Sequence, residues 1–70
     1  MSAWLVTLEG QAAGGSMTET WVVQADTFSA AVDAAQAETT LSSPTATGGG
    51  GAPAAIRLSV FRTPGNKRRL

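Results

Sequence analysis

Cysteine, histidine and tyrosine are all absent from this chain of 70 residues. The lack of cysteine excludes disulfides and thiol chemistry. With histidine also missing, zinc, iron–sulfur and blue-copper sites lose their usual ligands. Side chains that commonly act as the nucleophile or the base of a catalytic pair are missing as well. We therefore expect no catalytic residue, no cofactor and no metal site.

Small domains have thin cores and are usually stabilised by disulfides, by a metal or by association with another chain. The first is excluded here, and the second has lost its usual ligands. The composition therefore predicts a protein partner, and a homo-oligomer is an open alternative.

Long apolar runs are lacking too. The longest, "AWLV", is far shorter than the roughly 20 residues that span a bilayer, and the first residues contain neither a basic region nor a long apolar segment. We expect no membrane partner. The predicted location is the cytoplasm of a bacterial host, or the virion if the protein is structural.

Two segments alternate apolar and polar residues, as strands with one buried face do. In "AWLVTLEG" the alternating side chains are Trp4, Val6 and Leu8, and in "TETWVVQA" they include Trp21 and Val23. The glycines of the intervening "GQAAGGSM" predict the loop of a long hairpin and do not indicate a tight two-residue turn.

The second strand gives way to a helix at a capped boundary. Thr27 is the predicted N-cap, and Asp26 adds negative charge near the positive end of the helix dipole. Beyond them, Phe28, Val32 and Ala35 recur at helical spacing and are expected to face the sheet. The alanine-rich composition also favours a helix.

Residues 39–54 are expected to form a flexible loop, because threonine, serine, proline, glycine and alanine bury little apolar area. "AIRLSVFR" restores the alternation and predicts a third strand, with Ile56, Leu58 and Val60 facing the core. Residues 64–70 are expected to form a basic tail.

The predicted fold class is α+β, with the order ββαβ in a single domain over residues 1–63. A helical crossover after strand two returns strand three parallel to it on the far side of strand one. The expected sheet is therefore three-stranded and antiparallel in the order 2-1-3, with one helix on one face.

The other sheet face, called here the open face, has no predicted cover. An apolar patch with a polar surround often marks an interaction site, although one-layer sheets also leave some apolar groups in water. The candidate partner-binding residues on this face are Leu5, Thr7, Thr20, Val22, Arg57 and Phe61.

Two carboxylates, Glu9 and Glu19, flank the first hairpin. Neither lies in an apolar run that would prepare it for acid or base chemistry. We expect both to be solvated charges near strand ends.

Basic residues cluster at the C-terminal end, since all 5 follow residue 56 and all 5 acids precede residue 40. Arg62, Lys67, Arg68 and Arg69 are candidate contacts to an anionic partner, and Phe61 can stack a base. Zero net charge opposes nucleic-acid binding. A solubilising tail, or a tail that docks on an acidic protein, is the alternative.

The segment "TWVVQADTFSAAVDAAQAE" resembles short bacteriophage and mobile-element proteins, including DpnD/PcfM-like proteins and some ββαβ anti-CRISPR proteins. The resemblance covers about residues 4–38. The residues that carry it are Val23, Ala25, Asp26, Thr27, Ala31 and Ala35. Ala30 departs from it, since a capping-box glutamate is usual there. The resemblance implies no catalytic residues.

The leading hypothesis is a small non-catalytic phage or mobile-element protein that acts by protein–protein binding, as an inhibitor of a host defence or regulatory complex. The first alternative is a structural virion component, such as a capsid-decorating or connector protein. The second alternative is nucleic-acid binding through the basic tail and the sheet face.

Overall fold

A computed structural model describes residues 2–52 and 58–64 of the chain. The elements are β1 (Ser2–Ala12), β2 (Gly15–Ala25), α1 (Phe28–Glu38), β3 (Ser42–Ala52) and β4 (Ser59–Pro64). Within these described residues, the strands form a four-stranded sheet in the order β3-β1-β2-β4. Each neighbouring pair is antiparallel.

The predicted three-stranded sheet of order 2-1-3 is wrong. The place beyond β1, expected for the last strand, is occupied by β3. The last strand, β4, pairs with β2 and runs antiparallel to it. A strand does follow the helix on the far side of β1, as the crossover predicts, but the segment that arrives there is the glycine-rich one.

The expected flexible loop over residues 39–54 is wrong where β3 forms. The tract at residues 48–51 lies opposite residues 4–7 of β1 in an unbroken register. Strand propensities mainly reward side chains that pack, and glycine has none. Backbone N–H and C=O groups can form hydrogen bonds whatever the side chain is. Pairing with the edge of β1 therefore orders a segment whose amino-acid composition alone would not order it.

The first hairpin is tighter than expected. The β1–β2 ladder continues to Ala12 opposite Gly15, which leaves a two-residue turn at Ala13 and Gly14. Gly15 has φ of +115°, a conformation that side chains disfavour. The expectation that this hairpin has no tight two-residue turn is therefore wrong, because Gly15 adopts the backbone conformation that lets the strands continue to the turn.

The helix prediction is confirmed. Thr27 is the N-cap, and its hydroxyl accepts a hydrogen bond from the Ala30 N–H at 3.1 Å. Ala35 is fully buried, and Phe28 and Val32 pack against the core. The small alanine side chains allow this face of α1 to approach the sheet closely.

The core lies between α1 and the sheet and contains the expected residues of β1 and β2. Its buried members are Val6, Leu8, Trp21, Val23, Ala25, Ala31, Ala35 and Leu41, with Trp4 packed against them. The expectation that the last strand contributes its apolar face is wrong for Leu58 and Val60, which are 45% and 38% exposed. The helix packs mainly on β1, β2 and β3, whereas β4 lies at the opposite edge of the sheet from β3. The helix therefore leaves the apolar side chains at β4 uncovered. Ile56 lies outside the described residues.

In the part of the chain that the structure describes, no helix has the length and hydropathy required to cross a membrane.

Candidate protein-binding surface

Glu19 is a fully buried carboxylate, 0% exposed, in the middle of β2. Trp21 Nε1 donates to its Oε1 at 2.8 Å, and Thr39 Oγ1 donates to the same oxygen at 2.6 Å. Its Oε2 lies 2.7 Å from Nε of Arg62. The expectation of a solvated charge is therefore wrong for Glu19, whereas Glu9 is exposed as expected.

This carboxylate connects three elements. Arg62 belongs to β4 and lies opposite Glu19 in the β2–β4 register. Thr39 is the C-cap of α1, and its N–H donates to the Ala35 carbonyl at 3.0 Å. Arg62 Nη2 also donates to the Thr40 hydroxyl at 3.2 Å. The cluster fastens β4 and the end of the helix to β2, and no oxygen of Glu19 faces solvent for catalytic work.

One signal for the buried Glu19 was present in the sequence. Glu19 is in phase with Trp21 and Val23, so the alternation that buries those two side chains points the carboxylate to the same side. Its partner could not be found in this way, because Arg62 is 43 positions away and the pairing of β4 with β2 was not predicted.

The apolar edge, defined as Leu58, Val60 and Phe61, comprises the large hydrophobic side chains that are exposed among the described residues. Val60 lies opposite Trp21 and therefore shares the helix side of the sheet. Phe61 is 53% exposed and lies on the open face. Apolar surface is thus available on both sides of one short strand.

A groove lies between the last turns of α1 and the end of β2. Because β4 begins opposite Val22, residues 23–25 of β2 extend beyond it. The groove has a volume of about 380 Å³. Its lining residues are Val23, Gln24, Ala34, Ala37, Glu38 and Leu58. Leu58 belongs to both surfaces, so the groove continues into the apolar edge.

The residues predicted for the open face differ in exposure. Thr20 and Val22 are buried, Leu5 and Thr7 are partly buried, and Phe61 is exposed. Arg57 lies outside the described residues. Among the predicted residues that the structure describes, Phe61 therefore has the largest exposed apolar side chain.

The basic residues predicted for an anionic partner also divide. Arg62 is engaged with Glu19 and Thr40, although its side chain is 48% exposed. Lys67, Arg68 and Arg69 lie outside the described residues. Across residues 2–52 and 58–64, no group of three acidic, histidine or cysteine side chains could hold a metal ion.

No protein-family model, curated protein or solved structure matches this chain. The resemblance to DpnD/PcfM-like and anti-CRISPR proteins stays a prediction from the sequence.

Proposed function

We propose that this chain is a small non-catalytic protein-binding module that contacts its partner through the apolar edge and the adjoining groove. The observation that carries the proposal is the exposure of three large apolar side chains, Val60 and Phe61 on β4 and Leu58 immediately before it. Leu58 also lines the groove beside α1, and exposed apolar side chains next to a groove often mark an interaction site.

The energetics support a contact there. Complete burial of a large apolar side chain contributes about 1.5–3 kcal/mol. Leu58, Val60 and Phe61 are roughly half exposed, so a partner that covers them gains about half of that figure for each residue. The groove adds the side chains of Ala34 and Ala37 to the surface that can be covered.

Charge indicates what the partner presents. Glu38 lines the groove and is exposed, and Asp33 lies one helical turn before Ala37 and is exposed as well. The described cation nearest in sequence to the apolar edge, Arg62, is already paired with Glu19. The complementary partner therefore inserts an apolar side chain beside a lysine or arginine.

The experiment is affinity capture by the tagged full chain from a lysate of the bacterial host, followed by binding titrations with the captured protein. Leu58→Asp and Phe61→Asp are expected to abolish binding while the circular dichroism spectrum is retained. Ala13→Asp is the matched control, because it places the same charge at the exposed hairpin turn. Equal binding by all three variants would refute the proposed surface.

A charge reversal tests the chemistry of the partner separately. Glu38→Lys is expected to weaken binding, and Glu9→Lys, which reverses an exposed charge on β1, is the control. Stronger binding by Glu38→Lys would contradict a basic partner.

The identity of the captured protein distinguishes the two roles predicted from the sequence. A soluble host protein supports an inhibitor of a defence or regulatory complex, and co-purification with intact particles supports a virion component.

A further inference from the structure

The outer edge of β3 has none of the usual protection of a sheet edge along its second half. Natural proteins blunt such edges with charged side chains, prolines, bulges or short strands. β3 has eleven residues, none of them charged, and its one proline, Pro44, lies near its start. Among the described residues, β3 is the end strand of the sheet and pairs with β1 alone.

Bulges confine the regular part of this edge to residues 48–52. The register with β1 shifts between Thr7 and Leu8, and again between Glu9 and Gln11. Bulged segments pair poorly with a further strand. Residues 48–52 lie opposite residues 3–7 without interruption, so this stretch presents a regular row of backbone groups.

We propose that two copies of this chain associate by pairing β3 with β3 in antiparallel fashion about a two-fold axis at Gly50. The sheets then join into one continuous sheet across the two copies. In this register Gly48 lies opposite Ala52 of the second copy, and Gly50 lies opposite itself. This surface lies at the opposite edge of the sheet from β4 and the apolar edge, so the inference does not depend on the proposed function.

A second copy fits this edge better than a foreign strand. Strand addition by a foreign peptide takes its specificity from side-chain pockets beside the edge. A Cβ at Gly48, Gly50 or Gly51 would meet nothing within 4 Å, so no described side chain lies against these positions to form the wall of such a pocket. Self-pairing needs none, because a two-fold axis places the same surface on both sides. With no charge on β3, the two strands do not repel each other.

Phe28 extends the surface next to the edge. Its ring lies against Gly49 and contacts Trp4 edge to face, with centroids 5.9 Å apart. Phe28 is only partly buried within one chain. A two-fold axis perpendicular to the sheet puts both helices on the same side, with each Phe28 near the junction of the two β3 strands. Pairing of five residues from each copy buries much less surface than the roughly 1,600 Å² of a standard stable interface. The expected dimer is therefore weak and forms at high protein concentration.

Disulfide trapping tests the register, since the chain has no cysteine of its own. Opposed residues in antiparallel strands have Cα atoms about 4.5–5.5 Å apart, which a disulfide can bridge. Under mild oxidation, Gly50→Cys is expected to give a covalent dimer much faster than Gly14→Cys. Gly14 is the matched control, because a Cβ there also meets open space. Equal rates of cross-linking would overturn the proposal.

Sedimentation equilibrium at increasing concentration tests the association itself. The unmodified chain is expected to approach a dimer. Gly50→Lys is expected to remain monomeric, because two lysines would lie directly opposite each other. Gly14→Lys is expected to behave like the unmodified chain. A monomer at every concentration, growth beyond a dimer, or undiminished association of Gly50→Lys would each overturn the proposal.

Discussion

Arg62 Nε lies 2.7 Å from Oε2 of Glu19, directly across the β2–β4 register. This contact neutralises a carboxylate that is fully buried. It also holds β4 against β2, and β4 carries Val60 and Phe61 of the apolar edge, whose exposed side chains gain little from the core of their own chain. The proposed binding surface therefore depends on a polar contact for its position.

Arg62→Met is expected to lower the free energy of unfolding by about 2 kcal/mol. Loss of one partner from a buried ion pair usually costs about 3–5 kcal/mol, and the partial exposure of Arg62 reduces that cost. Adding Glu19→Gln should recover part of the loss, because no buried charge is then left without a counterion. Urea unfolding followed by tryptophan fluorescence measures both variants. Equal stability of Arg62→Met and the unmodified chain would contradict the assigned role.

Gly49→Ala is expected to destabilise the fold by more than about 1 kcal/mol. Gly49 has φ of +153°, and a Cβ there would lie 2.6 Å from Phe28 Cε1 and would also collide with the Leu5 carbonyl oxygen. Gly50→Ala is the control, because its Cβ meets open space. It should be neutral or stabilising by up to about 1 kcal/mol, since alanine restricts the unfolded chain. Thermal unfolding of the two variants side by side measures the difference, and equal midpoints would be the contrary result.

Thr27→Ala is expected to cost about 1 kcal/mol of stability. The substitution removes the hydroxyl that accepts from the Ala30 N–H at the start of α1. Ser29→Ala is the matched control, because Ser29 is exposed within the first turn and alanine has the higher helix propensity. The prediction fails if chemical denaturation gives the two variants the same stability.

Hydrogen exchange distinguishes an ordered β3 from a flexible glycine tract. Amides within residues 48–52 that donate to β1 should exchange more slowly than the Gly14 amide in the hairpin turn. If every amide in residues 48–52 exchanged at the rate of an unstructured peptide, β3 would not form. Measurement at low protein concentration separates this protection from any contribution of a dimer.

Local patterns were sufficient for β1, β2 and α1. The alternation of Trp4, Val6 and Leu8 reports a buried face without reference to any other segment, and the cap at Thr27 acts within one helical turn. Such signals depend on neighbours along the chain. For the same reason the alternation of Leu58 and Val60 gave a wrong prediction of burial, because it describes a segment that the helix leaves exposed.

The candidate site could not be predicted from local patterns, because it depends on contacts between residues that are distant in sequence. Glu19 alternates in phase with Trp21, yet a charge in that position is interpretable only when Arg62 is known to lie across from it. The exposure of the apolar edge likewise depends on the placement of β4 next to β2, at the opposite edge of the sheet from β3.

The sequence by itself determined the strands of the first hairpin, the capped helix, the sheet face that carries Trp21 and the helix face that carries Phe28, because hydrophobic periodicity and capping are local properties of the chain. The tertiary structure alone decided that residues 48–51 form a strand and that Glu19 is buried. A glycine backbone becomes ordered only when an unpaired strand offers it hydrogen bonds, and a carboxylate can be buried only when distant donors and a counterion converge on it.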